Sequence, residues 1–114
     1  MESASNTWRL SLVRGRPGLP REEFLRHWLG PHRDHISTLD GVQAARFFVV
    51  DSWTPAGPTW DGLGLIGFSA PAIAHTTFDD PALRSWIATE RSQYFGAVEN
   101  AWLTMVGDLD GAKR

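Results

Sequence analysis

Three of the four histidines in this chain lie within fourteen residues, in the stretch EEFLRHWLGPHRDH from Glu22 to His35. Imidazole changes its charge near neutral pH, so it can act as a general acid or base, and it is also a common metal ligand. A helical face with a spacing of four residues would carry Phe24, Trp28, His32 and Ile36. The spacing therefore predicts that His32 lies on the inward face of a helix, with His35 within reach of the same side.

Three interpretations of this stretch stay open: acid or base catalysis, metal binding, and histidines that only cap or pack a helix end. A metal site would use His32 and His35, with His27 or His75 as a third ligand. The usual helical ligand spacing of i to i+4 is missing between His32 and His35, and the chain has no cysteine. We therefore predict no metal, and the catalytic and structural interpretations remain.

The stretch WDGLGLIGF, from Trp60 to Phe68, predicts a strand with two different faces. Small and apolar residues at Gly62, Gly64, Ile66 and Phe68 suit close packing against helices. Asp61 would then face the other way, where it could orient a histidine or simply be held by backbone amides. Gly67, on the same side as Asp61, is expected to leave free volume for a ligand.

Other candidate binding residues come from a strand and a loop. Arg46 interrupts the apolar strand AARFFVV, where it could neutralise a substrate carboxylate or phenolate, or extend from an edge into solvent. Trp53 and Trp60 flank a Pro- and Gly-containing loop, so they are candidate pocket walls. Because GLGLIGF lies inside a strand and no helix follows it directly, it is not a dinucleotide fingerprint, and we expect no nucleotide cofactor.

The elements that must position these residues follow from hydrophobic patterning and turn residues. The pattern predicts strands at 8–13, 42–51, 61–68 and 99–109, a helix from Pro20 that kinks or stops near Gly30, and a second helical stretch at 69–95 broken around 79–81. The order strand, helix, strand, strand, helix, strand is the ferredoxin-like arrangement of the α+β class, with both helices on one face of a four-stranded antiparallel sheet.

The other sheet face would be left uncovered although it carries large apolar side chains. Such a face is normally buried, and a two-fold dimer that packs two sheets together is the simplest solution. We therefore predict a homodimer with a barrel-like core, and a ligand cavity between sheet and helices or inside the barrel.

Composition bounds the class of protein. The 114 residues are 42% hydrophobic and 21% charged, which predicts one globular domain at 8–109 between short tails at 1–7 and 110–114. The net charge of −2 is spread without basic blocks, so a nucleic-acid partner is not expected. No long apolar segment or secretion signal is present, which favours a cytoplasmic protein without a membrane partner.

The stretches REEFLRHWLGPH, TWDGLGLIGFSAPAIAH and FDDP, with the turn at Asp40 and Gly41, resemble the EthD-like family of the dimeric α+β barrel superfamily. The resemblance runs from about Trp8 to Gly107. It implies an enzyme that works without a cofactor and uses His32 as acid or base, with Trp28 beside it and Asp61 across the pocket. Family members include methylmuconolactone isomerases and the decarboxylases and dehydratases of aromatic polyketide pathways.

Four positions depart from the family pattern. Asp40 stands in place of a proline, Ala45 where a tyrosine is common, and Leu65 and Gly67 where a glutamate and a tryptophan often lie. These departures suggest a larger and more apolar cavity than is usual in the family.

The resulting hypothesis is a cofactor-independent lyase, isomerase or cyclase acting on a hydrophobic, oxygenated polyketide-like or lactone substrate. Its alternatives are a cofactor-free oxygenase of the quinone-forming type and a non-catalytic binding protein that serves an oxygenase pathway.

Overall fold

The computed structural model describes residues 5–51 and 59–106, which form four strands and a series of helices. The strands are β1 (Thr7–Gly15), β2 (Ala44–Val49), β3 (Gly62–Phe68) and β4 (Phe95–Thr104). The α-helices are α1 (Arg21–His27), α2 (Arg33–Ser37), α3 (Pro71–Asp79) and α4 (Pro81–Tyr94), and a π-helical segment (Trp28–His32) joins α1 to α2. The predicted α+β class and element order are confirmed.

The strands form one antiparallel sheet in the order β2-β3-β1-β4. The central strand β1 pairs with β3 from Thr7 opposite Phe68 to Val13 opposite Gly62, and it pairs with β4 on its other side. Strands that are neighbours in the sheet but distant in the chain are connected through the helices. This is the split topology that the ferredoxin-like pattern predicts.

The glycines of β3 make room for one large side chain of the helical layer. A Cβ atom at Gly62 would lie 2.6 Å from Nε1 of Trp28, and one at Gly64 would lie 3.2 Å from Cη2 of the same ring. Trp28 is 1% exposed and packs in a core cluster with Phe24 and Val13. The glycines therefore allow the π-helical segment to approach the sheet closely.

The sequence predicted that the helix beginning after Pro20 either kinks or stops near Gly30. It does not stop there. It passes through the π-helical segment and continues to Ser37. Pro31 has no N–H to donate, and its ring disfavours the regular α-helical bonding pattern in the turn before it. The wider π turn keeps the helix continuous past this residue.

Two predicted boundaries were wrong by several residues. Strand β4 covers Phe95–Thr104. It starts at Phe95 rather than at residue 99 because its pairing with β1 extends to Gly15 through an irregularity after Arg14, and the predicted end at residue 109 lies outside the described residues. Strand β2 is shorter than predicted and covers Ala44–Val49. The break between α3 and α4 lies at Asp80, within the predicted region, and the Asp80 side chain accepts a hydrogen bond from the backbone N–H of Leu83.

The sheet face opposite the helices is apolar and lacks a covering layer within the described residues. Strand alternation places Trp8, Leu10, Leu12, Leu63 and Leu65 on this face. Phe48 and Leu103, on the two edge strands, are 48% and 42% exposed. The face therefore has the character of a surface that packs against another protein layer.

Candidate active site

A buried carboxylate joins two histidines at the junction between the helices and the sheet. Glu90 Oε2 lies 2.7 Å from Nε2 of His27 and 2.5 Å from Nδ1 of His32. The side chains are 4%, 11% and 12% exposed for Glu90, His27 and His32. Since a carboxylate oxygen only accepts, both imidazoles donate an N–H to the same oxygen.

The π-helical segment explains how two histidines five residues apart reach one carboxylate. In a regular α-helix, side chains five residues apart point about 140° away from each other, because each residue turns by about 100°. A π turn closes hydrogen bonds between residues five apart and brings such side chains closer to one face. His27 ends α1 and His32 ends the π-helical segment, so the wide turn lies between them.

Aromatic rings hold both imidazoles in place. The His32 ring stacks on Trp28 at 4.6 Å between centroids and on Trp86 at 5.8 Å. The His27 ring lies parallel to Tyr94 at 3.7 Å. These contacts, with the hydrogen bonds to Glu90, fix the orientation of each ring.

His32 lines a cavity between the helices and the sheet. Its volume is about 60 Å³, and its mouth is open to solvent. Charged and polar lining residues are Arg9, Ser11, Glu90, Arg91 and Asn100; apolar ones include Val13, Trp28, Ile36, Ile66, Phe78, Ile87, Phe95 and Val98. The Nε2 atom of His32 forms no hydrogen bond with the described residues.

Arg9 is a half-buried cation on the sheet side of this cavity. Burial lowers the pKa of Arg9, and the neighbouring Arg91 guanidinium lowers it further. The direction of this shift means that the cavity environment is unfavourable to the positive charge as it stands.

The residues that could hold a metal ion, within the part of the chain that the structure describes, are His27, His32 and Glu90. Tetrahedral zinc with bonds of about 2.0–2.1 Å would separate its ligand atoms by about 3.3 Å. The observed separations of 2.7 and 2.5 Å from Oε2 are those of hydrogen bonds instead. In the arrangement that the structure describes, the three side chains are joined by hydrogen bonds through Glu90 Oε2.

Two of the predicted catalytic residues lie apart from this cluster. His35 stacks on Trp86 at 4.0 Å and does not line the cavity. Asp61 precedes β3, where its carboxylate accepts hydrogen bonds from the Gly15 backbone N–H at 2.8 Å and from Nε of Arg21 at 3.2 Å. These contacts are of the backbone-holding kind that the sequence left open beside a catalytic role.

The predicted binding residues are also dispersed. Trp28 lines the cavity, but Arg46 is exposed on the sheet face opposite it. Trp60 lies 5.2 Å from the guanidinium carbon of Arg14, outside the cavity. Trp53 lies outside the described residues.

Gly67 does not leave free volume, contrary to expectation. A Cβ atom there would lie 2.9 Å from the Trp8 ring, which already occupies the space. Gly67 and Leu65 both face away from the helices, so neither enlarges the cavity beside His32.

Glu90 is the important residue that sequence reasoning missed. The inward face of α4 carries Leu83, Trp86 and Ile87, and a continuation at the same spacing reaches Glu90 and then Tyr94. A carboxylate at a position where the pattern predicts an apolar residue is expensive to bury without a partner. That conflict was a usable signal, and histidines are suitable partners for it.

The chain shares a ferredoxin-like fold with solved structures. A dabb-family protein with a ferredoxin-like fold from Mesorhizobium loti matches with a TM-score of 0.71 and 12% identity, over 90% of this chain and 99% of that one. An EthD-family protein from Bacillus halodurans matches with a TM-score of 0.64 and 6% identity, over 84% and 96%. The expected resemblance is thus confirmed at the level of the fold.

Two further neighbours carry descriptions beyond the fold. A protein of unknown function from Thermobifida fusca, with a TM-score of 0.68 and 10% identity over 92% and 96% of the chains, is described as dimeric. A monooxygenase of Streptomyces coelicolor in complex with nanaomycin D matches with a TM-score of 0.61 and 12% identity over 91% and 90%. No family model and no curated protein matches the sequence.

Within residues 5–51 and 59–106, none of the helices has the length and apolar character that crossing a membrane requires.

Proposed function

We propose that this protein is a small-molecule enzyme in which His32 transfers protons as a general acid and base. The observation that carries the proposal is the short hydrogen bond between His32 Nδ1 and Glu90 Oε2 beside a cavity with largely apolar walls. A carboxylate that accepts the Nδ1 proton fixes the ring tautomer, and the second nitrogen, Nε2, is then the one that accepts a proton.

In the proposed cycle, His32 Nε2 removes a proton from a carbon or hydroxyl group of the substrate. The resulting imidazolium is stabilised by the negative charge of Glu90, which acts through His32 and is a positioning residue. The same proton is returned to another atom of the intermediate or to the leaving group. Isomerisation, dehydration, cyclisation and decarboxylation all use such a transfer.

The dimensions of the cavity limit how a substrate can bind. An apolar cavity of about 150 Å³ accommodates benzene, whereas this one measures about 60 Å³. We propose that a hydrophobic, oxygenated substrate of the lactone or polyketide type inserts one ring edge or substituent, and that the remainder stays at the mouth. No cofactor is part of this proposal.

Turnover of a panel of lactones and hydroxylated aromatic keto acids tests the proposed role. His32→Ala should lose about 10²–10⁴-fold in kcat while the far-UV circular dichroism stays unchanged, because a positioned acid or base contributes a factor of that size. His75→Ala is the matched control, since His75 is exposed on α3 and does not line the cavity.

Glu90→Gln should also slow turnover, because an amide has a single acceptor oxygen and carries no charge to stabilise the imidazolium. Wild-type turnover in His32→Ala would refute the mechanism. Saturable binding of panel members without any conversion would instead support the non-catalytic binding protein.

The open sheet face supports a second element of the proposal, a homodimer formed by packing two sheets together. Its apolar residues and the description of the Thermobifida fusca neighbour as dimeric both favour this assembly. Light scattering should give twice the chain mass, and Leu63→Lys, on an inner strand of this face, should give the monomer mass. A monomeric wild type would overturn this element.

The Streptomyces coelicolor monooxygenase, which shares the fold, favours one alternative function. In that alternative, a carbanion formed in the pocket would react directly with oxygen. An oxygen electrode separates the two, since acid and base chemistry alone consumes no oxygen.

A further inference from the structure

We propose that the cavity recognises an anionic group on its ligand, a carboxylate or phenolate, through Arg9, with Arg91 assisting at the rim. This inference rests on the proposed function, since it assigns the charge of the substrate that His32 would act on. Arg9 takes the anion-binding role that the sequence predicted for Arg46, because Arg46 lies on the opposite sheet face.

The surroundings of Arg9 leave its hydrogen-bonding edge free for a ligand. Its guanidinium carbon lies 4.4 Å from the centroid of the Phe78 ring and 5.0 Å from that of Trp102. Aromatic rings interact with the flat faces of a guanidinium, whereas its N–H donors point outward in its plane. Among the described residues, Arg9 forms neither a salt bridge nor a side-chain hydrogen bond.

The charges around the cavity are unbalanced in favour of an anion. Arg9 and Arg91 both line it, and the carboxylate that lines it, Glu90, already accepts hydrogen bonds from His27 and His32. Taking the charge of an arginine out of water without a partner is costly. A carboxylate or phenolate between the two guanidinium groups would neutralise their repulsion.

The position of Arg9 relative to His32 suits an orienting charge. Arg9, Ser11 and Val13 line the cavity from the same face of β1, and four residues of strand span about 13 Å. Val13 packs in the core cluster of Trp28, the residue that stacks on His32, whereas Arg9 packs on Phe78 and Trp102. An anion held by Arg9 would therefore direct another part of the same molecule toward His32.

A structural interpretation of Arg9 makes a different prediction. If the guanidinium only links Phe78 to Trp102, its replacement would change stability and leave ligand binding unaffected. Binding of simple anions separates the two interpretations without requiring turnover.

The test follows arginine Nε–H and tryptophan indole resonances of the full chain during titration with benzoate, acetate and the neutral isostere benzamide. We expect saturable shifts of the Arg9 signal and of the indole signal of Trp102, whose ring lies 5.0 Å from the Arg9 guanidinium carbon, with benzoate or acetate, and none at equal concentrations of benzamide. Arg9→Gln should weaken anion binding by tenfold or more, equivalent to about 1.4 kcal/mol. Arg26→Gln is the matched control, because it removes one positive charge from an exposed position of α1 outside the cavity.

Two further variants keep the test decisive if Arg9→Gln does not fold. Arg9→Lys retains the charge without the planar fork and should bind anions more weakly than wild type, and Arg91→Gln, at an exposed position, should weaken binding to a smaller extent. Equal binding of benzoate and benzamide, unchanged anion affinity in the Arg9 and Arg91 variants, or no saturable shift with either anion would overturn the proposal.

The outcome is separable from that of the proposed function. Anion binding through Arg9 in a protein whose turnover does not depend on His32 would retain the site and remove the mechanism. Loss of turnover in His32→Ala, together with Arg9 resonances that do not respond to anions, would retain the mechanism and remove the anion site.

Discussion

Adding a single methyl group at Gly62 should destabilise the protein through Trp28. The new Cβ atom would lie 2.6 Å from Nε1, 2.9 Å from Cε2 and 3.0 Å from Cγ2 of Val13. The indole must move by about 0.8 Å to restore an ordinary contact of 3.4 Å. That movement strains the hydrogen bond that Trp28 Nε1 donates to the Phe48 carbonyl at 3.2 Å.

The expected cost combines opposing terms. Overpacking a filled core costs about 1–3 kcal/mol, and a weakened hydrogen bond adds up to about 1 kcal/mol. Replacing glycine in a strand returns about 0.5–1 kcal/mol of conformational entropy. We therefore expect Gly62→Ala to lose about 1–3 kcal/mol, or about 4–12 °C in Tm for a domain of this size.

Urea and thermal unfolding at fixed protein concentration measure this loss, since a dimer would make Tm concentration-dependent. Gly30→Ala is the matched control, because nothing lies within 4 Å of its added Cβ atom. Repeating Gly62→Ala in a Trp28→Phe background should recover about 1 kcal/mol or more, because the smaller ring leaves space for the methyl group. An equal cost in both backgrounds, or a Gly62→Ala variant as stable as wild type, would refute the steric argument.

Two further predictions concern single polar contacts. Asp61→Ala should lower the free energy of unfolding in urea by about 1–2 kcal/mol, because the Gly15 N–H loses its acceptor. Turnover per folded molecule should stay unchanged. A large fall in kcat without a loss of stability would instead support a catalytic role for Asp61. Asp80→Ala removes the side-chain acceptor at the start of α4 and should lower the free energy of unfolding by about 1 kcal/mol. Asp79→Ala removes only an exposed ion pair with Arg84 and should lower it by less than about 0.5 kcal/mol. Equal losses in the two variants would contradict the capping role of Asp80.

Local patterns were sufficient to predict the element order and the two faces of β3. Gly62, Gly64, Ile66 and Phe68 face the helices as their alternation required, because a strand side chain can point only to one side or the other. The start of β4 was predicted too late, because Phe95 and Gly96 directly follow α4 and lack an alternating pattern of their own. Their strand conformation depends on pairing with β1, which is remote in sequence.

The site was predictable only on its helical side. The spacing of Trp28 and His32 placed them together correctly, but their carboxylate partner is 58 residues from His32 in the chain. Local spacing provides no information about such a distance, so Asp61 was the nearest candidate by motif, although it is held by Gly15 instead. Arg9 was not predicted as a binding residue, because a single arginine in an alternating strand is normally expected to face solvent. Only the position of the helical layer shows that this face of β1 is covered.

The π-helical segment changes the direction in which side chains point on its two sides, within one continuous helix. Relative to an uninterrupted α-helix, the segment contains the equivalent of one inserted residue. The side chains before it are therefore rotated by about 100° around the helix axis relative to those after it. Length within this segment is therefore as important as residue identity: deleting Gly30 would place the two histidines four residues apart, where a regular α-helix already carries both side chains on one face. A chain with one residue fewer between the two histidines would therefore need no π turn to bring both to one carboxylate, whereas a chain of unchanged length without the π turn would point them about 140° apart.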